Sequence, residues 1–89
     1  MDNNVVERKV IVKNKQGLHA RPAALFVQLA NKFDSKIIVK KDEQEVNGKS
    51  IMGILMLAAE KDSEIAIIAE GEDASQALDA LEQLISKDE

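Results

Sequence analysis

The residues Gly-Leu-His-Ala-Arg-Pro-Ala at positions 17–23 mark the point where a strand-like segment gives way to a helical one. His19, the only histidine of the chain, lies at the start of the expected helix, and Arg21 follows it by two residues. Pro22 falls in the first helical turn, where the backbone N–H that proline lacks is not needed for a helical hydrogen bond. The free N–H groups of a helix N-terminus attract anions. This stretch therefore predicts a site for a phosphoryl group at the start of the first helix.

On both sides of this stretch, apolar residues recur with the spacing of strands and helices. The pattern predicts the order β-α-β-β-α-β-α, with strands over residues 5–13, 36–41, 45–47 and 64–70 and helices over residues 20–33, 51–59 and 74–85. Ser50 and Asp73 are expected to cap the second and third helices. The predicted class is α+β, because four strands in one sheet with three helices on one face bury the apolar stripes of the helices. We expect residues 1–89 to form a single domain.

Composition excludes several classes of function. The chain has no cysteine, which removes disulfides and thiolate sites, and its only aromatic residues are two phenylalanines, which offer no platform for stacking bases or sugars. The longest apolar run is far shorter than the roughly 20 residues of a membrane span. The N-terminus lacks the basic and apolar regions of a secretory signal. We therefore expect a soluble cytoplasmic protein.

Charge is distributed unevenly along the chain. The net charge is −4, but residues 1–41 hold nine basic and three acidic side chains, and residues 42–89 hold three basic and thirteen acidic ones. His19 lies in the basic half, which would attract phosphates or acidic partners. Nucleic-acid binding is a competing explanation, although the acidic net charge and the lack of a nucleic-acid motif argue against it.

The chemistry that suits His19 is nucleophilic attack on phosphorus. The helix N-terminus and Arg21 both disfavour an additional positive charge, so we expect a neutral imidazole at pH 7. Such an imidazole attacks phosphorus without a general base, and the Arg21 guanidinium offers paired donors to the phosphoryl oxygens. The alternative is a histidine that only caps a helix or is solvated. One histidine without cysteines or a nearby acidic cluster gives too few ligands for a metal, so neither a metal nor a cofactor is expected.

Two motifs resemble those of the HPr family, the histidine-containing phosphocarriers of the bacterial phosphoenolpyruvate-dependent sugar phosphotransferase system. Residues 17–24, Gly-Leu-His-Ala-Arg-Pro-Ala-Ala, are similar to the family's phosphohistidine signature. Residues 46–54, Val-Asn-Gly-Lys-Ser-Ile-Met-Gly-Ile, are similar to its second signature, around a regulatory serine. The resemblance implies an open-faced β-sandwich with antiparallel strands in the order 1-4-2-3, and a carrier protein rather than an enzyme.

The resemblance also implies a role for particular residues. His19 would take a phosphoryl group on Nδ1 from Enzyme I and pass it to sugar-specific IIA domains, while Arg21 contacts the phosphate. Ser50 would be the target of the HPr kinase/phosphorylase, with catabolite control protein A as a further partner; Ser50 as a simple helix cap remains the alternative. Gln16, Leu55 and Met56 depart from the family's usual residues at their positions.

A second function remains open, namely a regulatory HPr-like paralogue that acts mainly through protein contacts. The chain retains both His19 and Ser50, which differs from the relatives that lack the histidine and from the nitrogen-linked relatives that lack the serine signature. A monomer is the expected state.

An apolar cluster on the short second helix predicts a partner surface. Helical spacing assigns three residues to the sheet, namely Ile54, Leu57 and Ala58, and leaves three on another side, namely Ile51, Met52 and Leu55. Small domains seldom expose such a cluster without a use, and methionine adapts to several partners. The alternative is a helix buried on both sides.

Overall fold

Seven elements follow one another in the predicted order in the computed structural model, which describes residues 4–87. The strands are β1 (Val5–Ile11), β2 (Lys36–Lys41), β3 (Gln44–Asn47) and β4 (Glu64–Glu70), and the helices are α1 (Ala20–Ala30), α2 (Ile51–Leu57) and α3 (Ala74–Ile85). The termini of the predicted single domain, residues 1–3 and 88–89, lie outside the described residues.

Both of the first two helices are shorter than predicted, because their last turns tighten. After α1, the N–H groups of Lys32 and Phe33 donate to the carbonyls three residues earlier, at 3.0 and 3.2 Å. After α2, Ala58 adopts a left-handed conformation with φ of 52° and is exposed. The prediction that Ala58 faces the sheet is therefore wrong, because the helix ends before that residue reaches the sheet.

The four strands form one antiparallel sheet in the order β1-β4-β2-β3, as the resemblance implies. Alternate residues of each strand point toward the helices: Val39 of β2 lies between Ile67 of β4 and Val46 of β3. Helix α3 packs against β1 and β4, α2 packs against β2 and β3, and α1 contacts both other helices. All three helices therefore cover the same face, and the core between the layers is aliphatic except for Phe26 of α1.

Asp73 occupies the N-cap position of α3, but its side chain makes no capping hydrogen bond. Its carboxylate instead accepts hydrogen bonds from the backbone N–H groups of Asp34 and Ser35, at 2.9 and 3.0 Å, and from the Ser35 hydroxyl. These bonds join the loop before β2 to the loop before α3. The hydrogen bond from the Ser35 hydroxyl, followed by that from the Asp34 N–H, lowers the pKa of Asp73.

None of the helices within residues 4–87 has the length and apolar character needed to cross a membrane.

Candidate functional site

His19 lies at the N-cap of α1, where the sequence predicts it. Its backbone is extended, with φ of −91° and ψ of −161°, and its carbonyl accepts the first helical hydrogen bond from the Ala23 N–H at 2.8 Å. The imidazole is exposed and makes no capping hydrogen bond. The ring is therefore free to react, because it is not needed to hold the helix.

The backbone just before His19 is held against the end of the α2 segment. Gly17 has a φ of +72°, and a Cβ at this position would lie 2.3 Å from the Ala59 carbonyl oxygen. The same carbonyl accepts a hydrogen bond of 2.8 Å from the N–H of Leu18, whose side chain is buried. The motif needs glycine here for two reasons, the left-handed conformation and the close approach of the backbone at residue 59.

A second set of backbone hydrogen bonds holds the loop from its other end. The Lys13 N–H donates to the carbonyl of Ile85 in the last turn of α3, at 2.8 Å. The Asp62 N–H donates to the Val12 carbonyl at 2.7 Å. The segment that carries His19 is thus fixed by residues far away in the sequence.

The His19 ring borders an open surface depression built from three segments. The loop before α1 contributes Lys15 and Gln16, the first turn of α1 contributes Arg21 and Pro22, and the end of α3 contributes Leu84 and Lys87. Arg21 is exposed, so its guanidinium is available to an anion beside His19. The structure therefore brings together the histidine and arginine that the sequence predicts as partners.

Sequence reasoning missed the two lysines of this depression. Lys15 is only four residues from His19, but it lies in a loop, and a loop has no periodicity from which the direction of a side chain can be predicted. Lys87 lies 68 residues beyond His19 and reaches the site only because α3 ends beside the loop. Asn14 lines the depression as well, and its buried side-chain oxygen has no hydrogen-bond partner.

Ser50 lies at the N-terminus of a different helix. Its hydroxyl oxygen accepts a hydrogen bond of 3.1 Å from the Gly53 N–H, which confirms the predicted cap of α2. The Lys49 ammonium donates to the Phe33 carbonyl at 2.7 Å and is therefore already engaged beyond the end of α1. Ser50 and His19 therefore lie at the N-cap positions of two different helices.

The exposed face of α2 differs in one residue from the predicted one. Ile51 and Met52 have exposed fractions of 40% and 63%, but Leu55 is half-buried and packs against the core. Met56 is exposed instead, at 65%. Because Met52 and Met56 are four residues apart, they share one face of the helix, whereas Leu55 is turned toward the protein. We refer to Ile51, Met52 and Met56 as the α2 patch.

The residues of positions 4–87 include no group of three histidine, cysteine or acidic side chains arranged to hold a metal.

Comparison with known proteins places this arrangement in a family. Residues 6–87 match the family described as the PTS HPr component phosphorylation site. The HPr-like protein Crh of Halalkalibacterium halodurans is 52% identical over 84 residues, which cover 94% of this chain and 100% of that protein. The crystal structure of the phosphocarrier protein HPr from Bacillus anthracis superposes with a TM-score of 0.90 at 52% identity, covering 93% of this chain and 99% of that one.

Another solved relative has a different assembly. The crystal structure of Crh from Bacillus subtilis, described as a domain-swapped dimer, superposes with a TM-score of 0.76 at 48% identity and covers 93% of this chain and 95% of that one.

An open-faced four-stranded sheet with an exposed histidine at the start of α1 is the arrangement of the phosphocarrier class of domains that the family model describes. The chain belongs to the HPr family.

Proposed function

We propose that this chain carries phosphoryl groups within the sugar phosphotransferase system, accepting them on His19 from Enzyme I and passing them to sugar-specific IIA domains. The observation that carries the proposal is the exposed imidazole at the N-cap of α1, free of any capping hydrogen bond, with Arg21 in the first turn. A cytoplasmic location belongs to the proposal, because the phosphoryl donor phosphoenolpyruvate is a cytoplasmic metabolite.

The proposed chemistry is two successive displacements at phosphorus. A nitrogen of the His19 ring forms a bond to phosphorus as the bond between phosphorus and the donor group of Enzyme I breaks. On the IIA domain the reverse occurs, and the imidazole leaves as the acceptor takes the phosphoryl group. Arg21 and the free N–H groups of the first turn of α1 stabilise the charge on the phosphoryl oxygens in both steps.

Regulation at Ser50 is the second part of the proposal. A kinase of the HPr kinase/phosphorylase type transfers phosphate to the Ser50 hydroxyl, which adds roughly 1.5 to 2 negative charges at the N-terminus of α2. The helix dipole favours this charge. The Lys49 ammonium donates a hydrogen bond to the Phe33 carbonyl, so Lys49 can neutralise the phosphate only if that hydrogen bond breaks. The added charge lies next to Ile51 and Met52, where it would weaken docking of an acidic Enzyme I surface.

The α2 patch is the proposed contact surface for these partners. Its side chains are apolar and exposed, and two of the three are methionines, which adapt to differently shaped partners. After Ser50 is phosphorylated, the patch and the phosphate together would offer a regulator such as catabolite control protein A a surface that the unmodified protein lacks.

A regulatory role without phosphoryl transfer is the second candidate, and the 52% identity to the HPr-like protein Crh favours it. The presence and exposure of His19 support the carrier role instead, because a protein that acts only through contacts needs no reactive imidazole. Both candidates use the α2 patch, so His19 is the residue that separates them.

The test is incubation with Enzyme I and phosphoenolpyruvate, followed by intact mass measurement before and after mild acid. We expect one acid-labile phosphoryl group on the wild-type chain and none on His19→Ala. Because the His19 side chain makes no capping bond, the free energy of unfolding of this variant should lie within about 0.5 kcal/mol of the wild-type value, at the low end of the range for N-cap substitutions. Ser50→Ala is the matched control and should be phosphorylated normally. A wild-type chain that stays unmodified, while a known HPr in the same reaction is modified, would favour the regulatory role.

A further inference from the structure

Three cationic side chains line the same depression as His19, and they come from three separate parts of the chain. Lys15 lies in the loop before α1, Arg21 in the first turn of that helix, and Lys87 just after α3. All three are exposed. The side chains that line the depression within residues 4–87 include no carboxylate. Within residues 4–87, the lining of the depression therefore carries positive charge, although the net charge of the chain is −4.

These cations differ from others nearby in having no acidic partner among residues 4–87. Lys13, two residues before Lys15, forms an ion pair with Asp62 at 3.2 Å. Arg8 on β1 pairs with Asp79 and Glu82 of α3, at 2.5 and 3.1 Å. Within the described part of the chain, neither Lys15, Arg21 nor Lys87 makes such a bond, so their charge is directed to solvent and to whatever approaches His19.

The position of Lys87 is set by the tertiary structure. The hydrogen bond from the Lys13 N–H to the Ile85 carbonyl holds the last turn of α3 against the loop that leads to His19. The Leu84 side chain lines the same depression, one turn before Lys87. The end of α3 is thereby a wall of the depression, and Lys87, two residues after Ile85, also lines it.

We propose that Lys15 and Lys87 complete, with Arg21, a cationic rim that draws a phosphoryl donor to His19 and stabilises the phosphoryl group once it is there. The inference rests on the proposed carrier function and assigns these two lysines to that same site. Each lysine is exposed and acts through solvent, so its individual effect is modest and depends on salt. Arg21 lies in the first turn of α1, two residues after His19.

The first experiment uses phosphoramidate, a small anionic donor that needs no protein partner. A ring nitrogen of His19 attacks phosphorus, the P–N bond of phosphoramidate breaks, and the departing ammonia takes up the proton that the phosphorylated ring releases. Lys15→Gln and Lys87→Gln should each lower the second-order rate constant roughly two- to fivefold at low salt, the range of a single exposed charge interaction. The difference should disappear at about 1 M salt, where the screening length is near 3 Å.

Lys40→Gln is the matched control. It removes the same charge from an exposed position on the opposite face of the sheet, since its strand neighbour Val39 points into the core. This variant should react at the wild-type rate. If the two rim variants behave like Lys40→Gln at low salt, or if their rates stay low at high salt, the proposal is wrong.

Repeating the assay with Enzyme I separates this inference from the carrier function. Loss of rate in the rim variants with both donors supports a direct effect on the phosphoryl group. Loss with Enzyme I alone would instead assign the lysines to partner docking and overturn the proposal. If the wild type and the variants react with phosphoramidate at rates in the predicted order, but the wild type does not react with Enzyme I, the carrier function is contradicted. The proposal of a cationic rim is then still supported. All variants are made in the full chain, so that Asp88 and Glu89, the acidic residues directly after Lys87, are present in every protein compared.

Discussion

Asp73 shows how one side chain can serve a different purpose from the one its position indicates. The carboxylate occurs where a helix cap is expected, yet it accepts three hydrogen bonds from Asp34 and Ser35, which lie 39 and 38 residues away. A carboxylate accepts hydrogen bonds best when it is ionised. The contact between these two loops therefore depends on pH.

We expect Asp73→Asn to reduce stability at neutral pH and to lose this disadvantage in acid. The pKa of Asp73 is lowered from its ordinary 3.8, first by the Ser35 hydroxyl and then by the Asp34 N–H. A carboxylate with a lowered folded-state pKa stabilises the protein above its unfolded pKa, and this stabilisation is lost as pH falls through the folded value. Urea unfolding of both proteins between pH 7 and pH 3 checks this, with Asp34→Asn as the control. A gap between wild type and Asp73→Asn that is constant across this range would contradict it.

Among the elements, α2 is the one whose stability depends most visibly on its cap. It has seven residues, too few to be stable alone, and its first turn is closed by the bond from the Gly53 N–H to the Ser50 hydroxyl oxygen. The same serine is thus both a structural cap and the proposed site of regulation.

Ser50→Ala should lower the free energy of unfolding by about 1 kcal/mol, the usual effect of losing a side-chain cap. Ser50→Asp should remain close to wild type, because an aspartate also accepts from the Gly53 N–H and its charge suits the helix N-terminus. Urea denaturation of the three proteins measures both differences. Equal stability of Ser50→Ala and wild type would mean that the hydroxyl contributes no capping energy.

Two substitutions on α2 separate partner binding from folding. Met52→Asp should weaken Enzyme I binding by about tenfold or more, because a buried interface charge must lose its water, while stability stays within about 0.5 kcal/mol. Leu55→Asp should instead lower stability by about 1 to 3 kcal/mol, since this half-buried side chain packs on the core.

Calorimetric binding and thermal unfolding report the two effects independently. Gln76→Asp, an exposed position on α3, serves as the control for added charge and should change neither quantity. Equal loss of stability in Met52→Asp and Leu55→Asp would show that both sides of α2 are core.

At the scale of the whole molecule, the sheet is completed within one chain. β1 pairs with β4 along its entire length, from Val5 opposite Glu70 to Ile11 opposite Glu64. β1 is an edge strand of the sheet, and its one strand neighbour, β4, comes from the same chain, so this pairing does not require a second copy. The B. subtilis relative described as a swapped dimer shows that another protein of the family has a different assembly.

We expect this chain to be a monomer in solution, with the molar mass of one chain by light scattering across a wide range of protein concentration. A mass that rises to twice this value, together with cross-links between β1 of one copy and β4 of another, would indicate exchange of the first strand. Wild-type protein that has been unfolded and refolded at low and at high concentration provides the internal control.

In the folded molecule, part of the basic half of the chain is paired with acidic residues of the other half. Antiparallel pairing places basic β1 beside acidic β4, and Arg8 and Lys13 of the basic half form ion pairs with acids of the other half. Such exposed pairs contribute little stability each. Their consequence is that the positive charge left unpaired within residues 4–87 includes the three cations around His19.

The amino-acid sequence determined the order of the elements, the buried faces of α1 and α3 and the helix starts at His19 and Ser50, because periodicity, caps and proline act within a few residues of the chain. The strand order followed from the resemblance to the HPr family. The folded structure alone decided that Lys87 joins His19, that Asp73 bonds to Ser35 instead of its own helix, and that Leu55 is half-buried. Each of these depends on contacts between distant segments or on where a short helix ends, and a local pattern carries no information about either.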